Sequence, residues 1–151
     1  MVLPKQFKEE YPDNIRIYHY VEELVASYRN YLKNLLKNNN ISLAEAPFLI
    51  RIRFSDNTTQ NDLTKLFNVS KGYTAKLLRK FEDDGWIVRM ENPMNHRQKI
   101  VKLTSDGIKK TDELISFMDA WENKITVDLT SDELKILKKL LFKIVLETEN
   151  F

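Results

Sequence analysis

The chain has 151 residues, 42% of them apolar and 30% charged, and carries a net charge of +2. That balance suits one globular domain, or one domain with helical extensions. It has no cysteine, two histidines far apart in sequence (His19 and His96) and three glycines. Disulfides, thiolate catalysis, thiol redox sensing, cysteine–zinc sites, G-x-G-x-x-G turns and Walker A loops are thereby excluded.

No metal or cofactor is expected from this inventory. No apolar run approaches the roughly 18 residues of a membrane span, and no basic-then-apolar leader with a cleavage site opens the chain. The expectation is a cytoplasmic protein with no membrane partner.

Residues 1–13, with Pro4 and Pro12, read as an irregular arm. From Asn14 to Lys37, apolar residues recur in steps of three and four (Ile17, Val21, Leu24, Tyr28, Tyr31 or Leu32, Leu35), which predicts a long helix. Further apolar groups (Tyr18, Tyr20, Val25, Leu36) lie off that stripe. A helix apolar on more than one face packs against two things, here its own domain and a second subunit. Ser42 and Glu45 form a capping-box pattern that opens a second helix to about Phe54, and Ser55 to Thr58 reads as a turn.

Thr59 is the expected N-cap of a short third helix, Gln60 to Phe67, with Asp62 placed to favour its positive end. Asn68 and Val69 make a turn, and Ser70 caps a fourth helix that Gly85 ends. On that helix Thr74, Leu77, Leu78 and Phe81 share one side, with Lys71, Tyr73, Lys76, Arg79 and Lys80 largely on the other. Two β-rich runs follow, residues 86–90 and 100–103, joined by a polar loop around Pro93, which predicts a hairpin. Thr104 caps a fifth helix through Ile125. Thr130 and Glu133 form a second capping box, opening a sixth helix with Leu134, Leu137, Leu140, Leu141, Ile144 and Val145 on its apolar side.

The expected fold is mainly α (α+β by strict count): six helices with a two-stranded β-wing, a winged helix-turn-helix plus a helical region. Charge supports that division. Residues 70–104 hold eight Lys and Arg against four Asp and Glu, a net of +4, whereas residues 105–151 sum to −3. A basic segment beside an acidic tail fits a protein that meets phosphate with one face.

The candidate DNA contacts follow from what a groove requires. A helix entering the major groove needs small or polar residues at its N-terminal end, and Ser70, Lys71, Gly72 and Tyr73 supply them. Gly72 costs about 1 kcal/mol relative to alanine inside a helix, which close approach to a surface would justify. Lys76 and Arg79 extend this face, and Thr59 and Gln60 open the preceding helix. On the hairpin, Arg97 suits the narrow minor groove, with Asn95, His96 and Lys99 beside it.

From Thr58 to Gly107 the sequence resembles the MarR family of bacterial and archaeal transcriptional regulators, with a weaker likeness over nearly the whole chain. The family's wing pattern, R-x-x-D-P-x-D-x-R, five residues, then Leu-Thr and an early Gly, is matched by Arg89, Pro93, Arg97, Leu103, Thr104 and Gly107. Its L-E-x-x-G helix ending corresponds to Phe81, Glu82 and Gly85. Both wing aspartates are asparagine here, Asn92 and Asn95. In the family the second aspartate orients the wing arginine by a salt bridge, so the hold of Asn95 on Arg97 is expected to lack charge assistance.

The resemblance implies one domain over residues 1–151, in which 42–104 bind DNA and 14–38 with 105–149 form a homodimer. The dimer would occupy a pseudo-palindromic operator on double-stranded DNA, as a repressor released in many members by a small aromatic or anionic effector. The competing reading is a winged-helix protein-interaction module without specific DNA binding. An enzyme would need a nucleophile–base pair or metal cluster, and the sequence offers neither.

Overall fold

A computed structural model describes residues 2–151. Contacts divide the chain into two compact units, residues 1–117 and 118–151. The fold is mainly α with a β-wing.

The first unit begins with α1 (Gln6–Glu9), a 3-10 turn at Pro12–Asn14, and α2 (Ile17–Leu35). The arm expected to be irregular is thus partly helical. Phe7 packs edge-on against Tyr20 with ring centroids 5.4 Å apart, and the Tyr20 hydroxyl donates to the Pro12 carbonyl at 3.0 Å, tying the arm to α2. The helix expected after the Ser42 capping box is α3, which spans Ala46–Arg53 and starts later than that box suggests. The box itself forms: the Ser42 N–H donates to Glu45 Oε2 at 2.8 Å, and the Glu45 N–H to Ser42 Oγ at 3.3 Å. Pro47 has no N–H to give the Leu43 carbonyl, so the regular ladder begins only after this turn.

Then come β1 (Thr58–Thr59), α4 (Gln60–Leu66), α5 (Lys71–Asp83), β2 (Ile87–Glu91), β3 (Lys99–Leu103) and α6 (Ser105–Ile125). The expected two-stranded wing gains a third strand. The order is β1-β3-β2, all antiparallel, with Thr58 opposite Val101 and Arg89 also opposite Val101 on the other side. Thr58, the last residue of the expected turn, and Thr59, the expected cap, therefore anchor the wing to the front of α4.

Leu49, Leu63, Leu78 and Phe81 are completely buried and draw α3, α4 and α5 into one core, which Leu32 of α2 and Leu114 of α6 complete. Gly107 lets α6 approach the Trp86 backbone: a Cβ there would fall 1.9 Å from the Trp86 carbonyl oxygen. Arg53 clips α3 to α6, donating to Thr111 Oγ1 at 2.8 Å and pairing with Asp112 at 2.9 Å. The amino-terminal half of α2 is different, because Ile17, Tyr18, Val21, Leu24 and Val25 stay exposed.

The second unit holds the end of α6, a turn, α7 (Ser131–Glu147) and a 3-10 turn at Thr148–Asn150. Thr130 and Glu133 close the predicted capping box, and Glu122 pairs with Lys138 at 2.5 Å. None of the α7 residues is buried.

Candidate nucleic-acid interface

Helix α4 is fixed at its first turn. Thr59 Oγ1 accepts from the Asp62 N–H at 3.2 Å, while Asp62 Oδ2 accepts from the Thr59 N–H at 2.9 Å and from its hydroxyl at 2.7 Å. Asp62 thus does more than favour the helix dipole; it completes a capping box. The turn to α5 passes through Asn68 at φ 49, the left-handed region that asparagine tolerates. Ser70 Oγ then accepts from the Tyr73 N–H at 3.1 Å and starts α5.

The two helices are also joined across their interface. The hydroxyls of Thr64 and Thr74 lie 2.9 Å apart within the core, and Thr74 is completely buried. A hydroxyl pair in an apolar interior is favourable only when the partners meet, so it fixes the register of α4 on α5. Phe67 stacks on Phe48 at 4.0 Å between centroids and supports the turn from below.

With Thr74, Leu77, Leu78 and Phe81 buried, α5 presents Lys71, Gly72, Tyr73, Lys76 and Arg79 to solvent, as the sequence pattern predicts. Lys80 is drawn aside, its ammonium 2.7 Å from Glu45. Burial acts to raise the Glu45 carboxyl, but Lys80 and the Ser42 N–H and hydroxyl outweigh it and hold the group below the usual carboxylate range. Nothing in the protein lies within 4 Å of a Cβ placed on Gly72, so packing inside the chain does not demand a glycine there.

The wing tip is built from two successive turns, Asn92 to Asn95 and Asn95 to Gln98. Each is braced by an asparagine side chain: Asn92 Oδ1 accepts from the Met94 N–H at 3.0 Å, and Asn95 Oδ1 from the Arg97 N–H at 3.1 Å. Asn95 therefore orders the Arg97 backbone, and among the described residues none is hydrogen-bonded to the Arg97 guanidinium. His96 is exposed, 3.9 Å from Glu91.

Between α4, the start of α5 and the wing runs a cleft of about 520 Å³, lined by Thr59, Gln60, Asn61, Thr64, Lys71, Arg89, Arg97, Gln98 and Lys99. Four of the nine are cationic and none is a carboxylate, a surface suited to phosphate. The cleft gathers Gln60, Lys71, Arg97 and Lys99 of the expected contacts. Ser70, Gly72, Tyr73, Lys76 and Arg79 lie along α5, and Asn95 and His96 at the tip. Thr59 is placed differently from the rest, 5% exposed with its hydroxyl spent on the α4 cap. Its role in this geometry is to position α4. Asn61, Thr64, Arg89 and Gln98 were not among the expected residues. The wing pattern contains Arg89, but only the fold shows its side chain in the cleft.

Recognition helix, turn and basic wing on one unit define a winged helix-turn-helix DNA-binding protein. The sequence profile of the MarR family matches residues 41–99. The multiple antibiotic resistance protein MarR of Salmonella typhimurium (strain LT2) is 31% identical over 115 residues, 76% of this chain and 80% of that protein. A crystal structure of MarR superposes with a TM-score of 0.73 at 27% identity, covering 91% of this chain and 100% of that one. A mutant MarR from E. coli complexed with operator DNA superposes with a TM-score of 0.63 at 25% identity, covering 90% and 98% of the two chains.

The chain belongs to the MarR family, and its general function is DNA-binding transcriptional regulation rather than catalysis. No helix among the described residues is long and apolar enough to cross a membrane.

Proposed function

We propose that this chain is a homodimeric, sequence-specific repressor that binds a pseudo-palindromic operator. Residues 42–104 read the DNA, and residues 14–38 with 105–149 hold the dimer. Helix α5 enters the major groove through Ser70, Lys71, Gly72 and Tyr73, with Lys76 and Arg79 on the same face. Arg97 enters the minor groove, and His96 and Lys99 meet phosphates.

The observation that carries this reading is the carboxylate-free cleft where Lys71 of α5 meets Arg97 and Lys99 of the wing. Its support from outside the chain is the MarR relative held in complex with operator DNA. Dimerisation is favoured by apolar surface left open within each unit, at Ile17, Val21 and Leu24 in the first and at Ile136, Leu140 and Phe142 in the second. Apolar surface of that extent is costly in water and is normally covered. A small aromatic or anionic effector that releases the operator completes the proposal, on the strength of the family resemblance.

Titration against the intergenic DNA upstream of the chain's own gene, beside a scrambled duplex of equal length, tests the core of this reading. The expected result is a preference of at least about 10³ for the upstream duplex at physiological salt, weakening steeply as salt rises. Equal affinity for both duplexes, or a monomer by light scattering, supports the protein-interaction alternative instead.

A further inference from the structure

Arg89 stands in the middle of β2, and its side chain is about three-quarters buried. Its guanidinium bonds in two directions. Nε donates to Glu82 Oε1 at 3.0 Å, on the last turn of α5, and Nη1 donates to Gln60 Oε1 at 3.1 Å, at the first residue of α4. One rigid planar group thus joins the wing strand, the recognition helix and the helix before it. Lysine, with a compact ammonium on a flexible stem, does not hold two acceptors in a fixed plane.

Chain connectivity shows why such a brace matters. Between α5 and β2 lie only Asp84, Gly85 and Trp86, with Gly85 at φ 76. The angle of the wing on α5 is set by this short glycine turn, by strand pairing and by the Arg89 bridge. For an ion pair this far out of water, with the two side chains 24% and 35% exposed, the cost of desolvating both charges offsets much of their attraction, so stability alone gives little reason for the bridge. Geometry gives a stronger one.

The bridge also fixes the polarity of Gln60. Arg89 offers only donors, so the Gln60 carbonyl oxygen must turn toward it. The amide NH₂ is then held away from Arg89, as a donor available to phosphate.

We propose that Glu82 and Arg89 are positioning residues for DNA reading: their bridge sets the wing's angle on α5 and orients Gln60, so that Arg97 and Lys71 engage one DNA site together. This rests on the DNA-reading function proposed above. Glu82 acts only through Arg89. Without Glu82, the guanidinium is freed into a cleft that already holds Lys71, Arg97 and Lys99, which favours phosphate binding at the expense of register.

The test uses full-length Glu82→Ala and Glu82→Gln variants with two readouts. In the free protein, amide hydrogen exchange is followed across residues 92–99. On DNA, affinity is measured for the upstream duplex and a scrambled duplex. Glu82→Ala is expected to accelerate exchange in the wing but not in α5. It should raise scrambled-duplex affinity about twofold through the lost negative charge. The ratio of specific to non-specific affinity should fall about tenfold, because base and groove contacts carry specificity while phosphates do not. Glu82→Gln keeps an acceptor and is expected to lose about threefold in that ratio.

A merely stabilising role would instead speed exchange everywhere and weaken both duplexes alike, and that result overturns the proposal. So does an unchanged ratio where the wild-type protein discriminates. If the wild-type protein itself does not discriminate, the DNA-reading function fails separately, and wing exchange alone then judges the bridge: accelerated upholds it, unchanged overturns it.

Discussion

The helix-turn-helix core and helix α7 solve opposite problems with similar residues. Around α4 and α5, leucines and phenylalanines are sealed from water, and even the hydroxyls of Thr64 and Thr74 find each other inside. Along α7, Leu140, Phe142 and Val145 are each more than half exposed. The first region is complete as a single chain; the second has the composition of a core without the burial. The contrast separates a region whose apolar side chains are buried within one chain from one whose apolar side chains stay open.

Four variants press on that contrast, the largest effect first. Leu141→Glu places a charge in the apolar stretch of α7. If a second copy covers that face, the variant is expected to be monomeric by light scattering and to lose at least about 100-fold in operator affinity, since two half-sites no longer bind as one. An unchanged dimer would remove α7 from the interface. Leu78→Ala attacks the completed region. It should cost about 2–5 kcal/mol in denaturant unfolding, the range for large-to-small changes at fully buried sites.

Asn95→Asp sharpens the picture of the wing. An aspartate can still accept the Arg97 N–H and adds a charge that can hold the guanidinium, at the cost of repelling phosphate. With the two effects opposed, operator affinity is expected to change by no more than about threefold in fluorescence anisotropy.

The smallest effect concerns Glu45, whose carboxyl is held below its ordinary value in the folded state. A depressed carboxylate contributes stability above its unfolded pKa of about 4.3 and loses it as pH falls through the folded value. Glu45→Gln should therefore flatten the acid limb of a melting-temperature profile below about pH 4.3 and leave pH 7 to 8 little changed in slope.

Local chemistry explains which parts of this structure the sequence disclosed. The capping pairs at Ser42 and Thr130, the helix start at Ser70 and the buried side of α5 all depend on residues within one or two turns, and all are visible as spacing. The strand Thr58–Thr59 is two residues long, too short for any periodicity, and exists only because β3 lies beside it. The Thr64–Thr74 pair spans ten positions and two helices, so neither threonine alone announces it. At the interface, the exposed cations of α5 could be read from the pattern. The fate of Lys80 and Arg89 could not, since each is decided by a partner on another element, Glu45 and Glu82. Thr59 shows the same limit from the other side: its cap was legible, but not that its hydroxyl proton would be given to Asp62.

If α5 and the wing read one DNA site together, Arg97 occupies the minor groove while α5 occupies the major groove. Hydroxyl-radical footprinting, which probes the sugars along the minor groove, is paired with dimethyl-sulfate protection of guanine N7 in the major groove, for the wild-type protein and Arg97→Ala on the upstream intergenic DNA. Two symmetry-related minor-groove protections are expected to flank the major-groove contacts of α5. In Arg97→Ala the minor-groove protections should vanish, the major-groove contacts should remain, and affinity should fall by about 10- to 100-fold. An Arg97→Ala footprint identical to the wild type, at unchanged affinity, would contradict that joint reading.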